Sequence, residues 1–108
     1  MRSLVLGQVV LAAALLAGGC QSQRDAYVVI CNAGYQCEPC RSLGGPERAT
    51  ALATYIDENV SNGDVRARLS AYAGMEPAAR GPALLSEATA AGLESCPMAA
   101  DWTALPPP

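Results

Sequence analysis

Apolar side chains recur every three or four positions over much of the chain, with polar residues between them. Three such stripes lie in residues 46–60, 63–73 and 82–91. This spacing places the apolar residues on one face of an α-helix. The pattern therefore predicts a mostly α fold, a small domain of about three helices. The stripes are Ala49, Leu52, Ala53, Ile56 and Val60; Val65, Leu69, Tyr72 and Ala73; and Leu84, Leu85, Ala88 and Ala91.

Residues at the ends of the first two stripes indicate where those helices begin and end. Pro46 suits the first position of a helix, where its missing N–H is not needed. Ser61 or Asn62 can cap the second helix by accepting a hydrogen bond from a free backbone N–H. Gly74 is expected to end that helix in a left-handed conformation. Because the connection between the two helices is so short, we expect them to fold back on each other.

The third stripe contains one irregularity and a clear end. Pro82 lies where a helix begun near residue 77 would lose a backbone hydrogen bond, so we expect a kink or a new start there. Gly92, followed by Leu93, is typical of a glycine that ends a helix, with a hydrophobic contact just beyond it.

The segments outside the stripes have a less regular pattern. Residues 20–26 are interpreted as the start of the mature chain and a polar tether, and residues 27–102 as the folded domain. The run Tyr27 to Ile30 is rich in β-branched residues and predicts a short extended N-terminal segment. Residues 103–108 end in three prolines, which favour an extended tail. Trp102 is expected to cover an edge of the core.

Residues 4–19 form an apolar run with a single polar residue and no charge, after a start that contains Arg2. A helix that crosses a membrane needs about 20 apolar residues. A secretory signal is shorter, with a basic start and small residues at the cleavage site. The run therefore predicts a signal segment over residues 1–19, with an uncleaved anchor as the alternative.

Residues Leu16 to Cys20, with the sequence LAGGC, resemble the lipobox of bacterial lipoproteins. The resemblance implies that Cys20 is acylated, with chains such as palmitate, and becomes the mature N-terminus. Several acyl chains make a lasting membrane anchor, whereas one binds only marginally. Gln21 is not the aspartate that resembles an inner-membrane retention signal. The resemblance thus implies a lipid-anchored protein on the periplasmic face of the outer membrane.

Charge and composition narrow the possible chemistry. The net charge is −3 and the chain contains no histidine. Nucleic acid is not an expected partner, because the arginines are scattered among carboxylates and phosphate binding needs clustered cations. Without histidine there is no serine triad, no C-x-x-C-H haem site and no mixed Cys/His zinc site.

Four cysteines remain once Cys20 is assigned to lipid: Cys31, Cys37, Cys40 and Cys96. Small exported domains commonly depend on disulfides because they bury little apolar surface. We therefore expect two bridges. Three connectivities are possible, and each of them joins Cys96 to the cluster in residues 31–40.

Cys37 and Cys40 belong to a C-E-P-C motif that resembles the redox dithiol of thioredoxin-like proteins. The resemblance implies one attacking thiolate and one resolving thiol. A structural disulfide or half of a zinc site uses the same atoms. We expect a structural disulfide, because an oxidising compartment favours it and the strands of a thioredoxin-like sheet are missing.

Charged side chains offer two further candidate sites. Asp57, Glu58 and Asp64 are candidates for a divalent-cation site, but a solvated helix end explains them better because the spacing of a calcium loop is absent. Arg66, Arg68 and Arg80 are candidates for binding an anionic group, although exposed arginines on amphipathic helices are common. The four tyrosines, Tyr27, Tyr35, Tyr55 and Tyr72, are interpreted as packing residues.

The sequence therefore predicts a membrane-anchored periplasmic lipoprotein with a small structural or binding accessory domain. No catalytic residue, metal or cofactor is expected, and the membrane is reached through the lipid on Cys20. The protein partner is left open. The alternative is a lipid-anchored thiol–disulfide protein that uses Cys37 and Cys40.

Overall fold

The computed structural model describes residues 21–104, and side chains as far as residue 102. This part of the chain is helical and has no strand. The predicted mostly α, disulfide-stapled fold is confirmed. The elements are α1 (Gln23–Cys31), α2 (Ala33–Gln36), a 3-10 helix (Pro39–Ser42), α3 (Gly45–Asn59), α4 (Gly63–Ala73), α5 (Pro77–Ala90) and α6 (Pro97–Ala104).

The prediction of an extended N-terminal segment is wrong, because residues 23–31 form helix α1. Ser22 caps this helix, since its side chain accepts a hydrogen bond from the Asp25 backbone N–H at 3.0 Å. The residues that α1 buries follow a helical spacing, which outweighs the strand preference of the β-branched run. These buried residues are Ala26, Tyr27, Ile30 and Cys31.

Helix α1 lies at the centre of the domain. It packs against α3, α4, α5 and α6. Its Tyr27 and Ile30 side chains are completely buried and belong to the largest in the core. The longer helices therefore share α1 as their common packing surface.

The predicted tether is also part of the folded unit. Gln21 is held by the turn between α3 and α4, where its side-chain oxygen accepts from the Ser61 backbone N–H at 2.9 Å. Its amide nitrogen donates to the Asn59 carbonyl at 3.2 Å, and its own carbonyl accepts from the Asn62 side chain at 2.7 Å. Gln21 is thus part of the folded domain.

Helices α3 and α4 start and end close to the predicted positions, and Asn62 caps α4 by accepting from the Val65 backbone N–H at 3.0 Å. They do not fold back on each other as predicted. Both pack on α1, but they make little contact along their lengths. The reason lies in the connection, where Val60 and Asn62 are extended and turn α4 away from α3.

Helix α5 begins at Pro77 and continues through Pro82 without a new start. Proline at this position leaves the carbonyl of Ala78 without its helical partner. Ala78 is exposed, so water can reach this carbonyl. The predicted new start is therefore wrong, because the helix continues through Pro82 where the carbonyl that it frees belongs to an exposed residue.

At the C-terminal end of the described chain, the helix α6 extends to Ala104. It thus includes the first two residues of the predicted tail, and residues 105–108 lie outside the described part. Trp102 is half-buried against the core, as expected.

Two glycines end helices in different ways. Gly92 has a φ of +101°, and Leu93 donates to the Ala88 carbonyl at 3.0 Å, as in the predicted glycine cap. Gly74 has a φ of −84°, so the predicted left-handed cap is wrong. The end of α4 is instead closed by Arg80, which donates to the carbonyls of Ala73 and Met75 at 3.0 and 3.1 Å.

Two disulfides staple the domain. Cys31 on α1 is bonded to Cys96, 65 residues away, at the start of α6. Cys37 is bonded to Cys40 across the connection between α2 and the 3-10 helix. Of the three open connectivities, the structure has the one that joins Cys31 to Cys96.

Replacing each of the two glycines by alanine is predicted to change stability in opposite directions. Gly74→Ala should raise the free energy of unfolding by about 0.4–1 kcal/mol, because its φ suits alanine and the unfolded chain loses freedom. Gly92→Ala should lower it by about 1–2 kcal/mol, because alanine is strained at positive φ. Urea unfolding measures both. Shifts of the same sign would contradict this account of the two helix ends.

The two disulfides are predicted to differ in their contribution to stability. Replacing Cys31 and Cys96 by alanine should lower the free energy of unfolding by about 4 kcal/mol, since the bridge closes a long loop. Replacing Cys37 and Cys40 by alanine is the matched control, and its short loop is worth about 2 kcal/mol. Both pairs are measured by thermal and urea unfolding. An equal loss in the two variants would show that the long loop is not what stabilises the domain.

Candidate functional site

An apolar groove of about 400 Å³ opens where α3 and α4 diverge. The apolar stripes of both helices are wider than the surface that α1 covers. Leu52 and Val65 are buried in the core, whereas Ile56 and Leu69 remain partly accessible and face the groove. The groove is therefore lined by those apolar residues of α3 and α4 that α1 does not cover.

Four helices contribute residues to the groove. Helix α3 and the residue that follows it form one wall, and α4 forms the other. Residues from α5 and α6 complete the lining. The lining residues are Ala49, Leu52, Ala53, Ile56, Asp57 and Val60; Arg66, Leu69, Ser70 and Ala73; and Arg80, Met98 and Trp102.

An ion pair closes the end of the groove where α3 and α4 meet. Arg66 pairs with the carboxylate of Asp57. Its guanidinium also donates to the backbone carbonyls of Asp57 at 2.9 Å and Val60 at 2.7 Å. Arg66 thus satisfies free carbonyls at the end of α3 and holds the two walls together at this point.

A buried cation lies towards the other end of α4. Arg80 is only 3% exposed, although its side chain contributes to the groove lining. Its two hydrogen bonds go to backbone carbonyls at the end of α4. The prediction that Arg80 is one of several exposed arginines is therefore wrong.

Trp102 is held against the groove by an aromatic contact. Its ring meets that of Tyr72 edge to face, with centroids 5.6 Å apart and an interplanar angle of 80°. Because Trp102 is the single tryptophan of the chain, its fluorescence reports directly on this groove.

Arg68 and the tyrosines Tyr27 and Tyr72 do not line the groove. Arg68 pairs with Glu87 at 3.2 Å, and both side chains are 40% exposed. Tyr27 and Glu87 raise the pKa of Arg68. Burial raises the pKa of the Tyr72 hydroxyl, and Tyr27 adds to this shift. The hydroxyls of Tyr27 and Tyr72 are buried and make no hydrogen bond within the described part of the chain.

The acidic candidates do not form a metal site. Asp57 is engaged by Arg66, and Glu58 and Asp64 are exposed on different helices. Within residues 21–104, no group of three or more potential ligands lies close enough to hold a metal ion. Asp57 thus belongs to the ion pair at the closed end of the groove, and Glu58 and Asp64 are exposed to solvent.

The two cysteines of the C-E-P-C motif form a buried disulfide. Cys37 and Cys40 are bonded to each other and only 2% and 0% exposed. Arg48 fixes the motif by donating to the Cys40 carbonyl, and it pairs with Asp101 of α6 at 2.8 Å. The motif follows the short helix α2 and opens a 3-10 helix, unlike the strand and α-helix that flank a thioredoxin-like dithiol.

Cys20, the predicted lipidation site, lies outside the described residues. Its neighbour Gln21 is bound to the turn at the closed end of the groove. The roles of Gln21 and Arg80 were not predicted from the sequence. Ser22 and Asp25, three residues apart, are the helix-start signal that would have excluded a tether, whereas no local signal announces the burial of Arg80.

No protein-family model matches the sequence, and neither a curated protein nor a solved structure matches it. None of the helices in residues 21–104 has the length and apolar character needed to cross a bilayer.

Proposed function

We propose that this chain is a lipid-anchored accessory protein of the bacterial cell envelope and that its groove between α3 and α4 binds an apolar ligand. The groove carries the proposal. Small-molecule sites are usually preformed, largely apolar clefts of about 300–1,000 Å³ with a few placed polar groups. A volume of about 400 Å³, apolar walls and charged residues towards both ends fit this description.

The groove lies on a scaffold that resists collapse. Arg66 links its walls at one end, and Arg80 closes the end of α4 near the other. The disulfide between Cys31 and Cys96 ties the central helix to α6, which supplies Trp102. A preformed site binds with a smaller loss of conformational entropy than one that has to be ordered by its ligand.

The lipid anchor is supported by two features of the sequence. Residues 16–20 resemble a lipobox, and Cys20 leaves an even set of cysteines, all of which are paired in the described part of the chain. In this proposal the acylated Cys20 is followed directly by Gln21, which is hydrogen-bonded to the domain. The domain would then stand close to the membrane, on the periplasmic side of the outer membrane.

The thiol–disulfide alternative has less support. Exchange requires a thiolate to reach a disulfide sulfur. Both residues of the Cys37–Cys40 pair are buried. Their burial favours a structural bridge.

Lipidation predicts a change of compartment when Cys20 is replaced. Cys20→Ser should move the protein from the detergent-extracted membrane fraction to the soluble fraction, and mass spectrometry should show the loss of the acyl groups. The variant with Cys37 and Cys40 replaced by alanine is the control and should stay with the membrane. If the wild-type protein carries no acyl group and Cys20→Ser remains wholly membrane-bound, residues 4–19 are themselves the anchor.

Ligand binding by the groove is predicted to be sensitive to one position on its wall. The soluble Cys20→Ser protein should bind the uncharged dye N-phenylnaphthylamine with a rise in dye fluorescence. Ala53→Asp, in the groove, should weaken binding by at least about tenfold, because an apolar ligand cannot pair with the carboxylate.

Ala67→Asp is the matched control, since Ala67 is exposed on α4 and does not line the groove. Circular dichroism verifies that both variants keep the helical fold. Equal dye binding in the two variants would contradict the groove as the ligand site.

A further inference from the structure

We propose that the groove binds a long-chain carboxylate, with its apolar chain along α4 and its carboxylate on Arg80; this inference rests on the groove being the ligand site proposed above. Two independent features point to such a ligand. One is the apolar surface of the walls, and the other is the charge of Arg80 at a position that solvent hardly reaches.

The charge of Arg80 is not balanced by a carboxylate of the described chain. The ion pairs found within residues 21–102 involve Arg48, Arg66 and Arg68 but not Arg80. Its two hydrogen bonds to carbonyls occupy two of the five N–H donors of a guanidinium. A buried charge is costly unless it is paired. An anion in the groove would supply the missing charge and the planar acceptor geometry that guanidinium prefers.

The sign and size of the charge favour a carboxylate. Arg66 is already paired with Asp57, which leaves Arg80 as the groove cation without a carboxylate partner in the described chain. One guanidinium matches the single charge of a carboxylate. A phosphate monoester carries between about 1.5 and 2 negative charges near neutral pH.

The walls favour an alkyl chain over a peptide. An extended peptide would bring backbone N–H and C=O groups against Ile56, Leu69 and Met98, which cannot pair with them. An alkyl chain has no such groups. The groove follows α4 from Ala73, beside Arg80, to Arg66 at the closed end, a distance of roughly 10 Å at 1.5 Å per residue. The part of the alkyl chain nearest the carboxylate would lie along this path, and the remainder of a longer chain would bend within the groove or leave it through its open side.

Binding can be measured with probes that share one tail and differ in the head group. The full chain carrying Cys20→Ser is titrated with dodecanoate, dodecanol and dodecyltrimethylammonium, each below its micelle concentration. Trp102 fluorescence is the readout. We expect dodecanoate to bind at least about tenfold more tightly than dodecanol, because hydrogen bonds to charged groups are strong. The cationic probe should bind more weakly than dodecanol.

Variants of Arg80 and Ala53 test separately where the carboxylate and the alkyl chain of the ligand bind. Arg80→Gln should bring dodecanoate and dodecanol to equal affinity, whereas Arg80→Lys should keep the preference for the carboxylate. Because Arg80 also caps α4, a second variant leaves it in place. Ala53→Leu, which fills the groove, should weaken all three probes together, and Ala67→Leu on the exposed face of α4 should change none of them.

Three outcomes would overturn this inference. Equal binding of dodecanoate and dodecanol by the Cys20→Ser protein would remove the role of Arg80, and unaltered binding by Ala53→Leu would place the probes elsewhere. Dodecanoate binding by Cys20→Ser but not by the acylated protein would assign the groove to the chain's own lipid. If dodecanoate and dodecanol bind equally, binding of N-phenylnaphthylamine in the groove would still support the proposed function. Failure to bind this dye as well would contradict both the carboxylate inference and the proposed function.

Discussion

The central position of α1 is the constraint on which the rest of the structure depends. This helix presents Tyr27 and Ile30 to the longer helices and is bonded through Cys31 to the start of α6. A domain of this size has little apolar surface to bury, so one helix that touches most of the others uses that surface efficiently. Both α3 and α4 bury part of their apolar face on α1 and make little contact with each other. The rest of each apolar face therefore forms a wall of the groove.

Three arginine side chains bind backbone carbonyls at helix ends and turns. Arg48, Arg66 and Arg80 each donate to backbone carbonyls at the end of a helix or turn. Carbonyls at helix ends lack partners within the helix and carry partial negative charge, so a guanidinium suits them both by its donors and by its charge. Arg48 and Arg66 also pair with a carboxylate, whereas Arg80 does not in the described chain. Of the two arginines that line the groove, Arg66 is therefore paired with a carboxylate and Arg80 is bound to carbonyls.

Local signals predicted the helices better than their arrangement. The stripe over residues 63–73 and the cap at Asn62 gave α4 its observed limits. The prediction of an extended segment rested on the β-branched run from Tyr27 to Ile30 and did not include the Ser22 cap, although the spacing of the buried residues is helical. The groove and the burial of Arg80 depend on the angle between helices and on which faces meet. Such tertiary geometry leaves no periodic trace in the chain, which explains why the site was not predicted.

The binding of Gln21 to the turn between α3 and α4 closes the chain on itself at a second point besides the disulfides. Hydrogen bonds join Gln21 to Asn59, Ser61 and Asn62, which lie about forty positions further along the sequence. The residue just before α1 and the turn from which the two groove walls diverge therefore share one neighbourhood in space, although they are far apart along the chain.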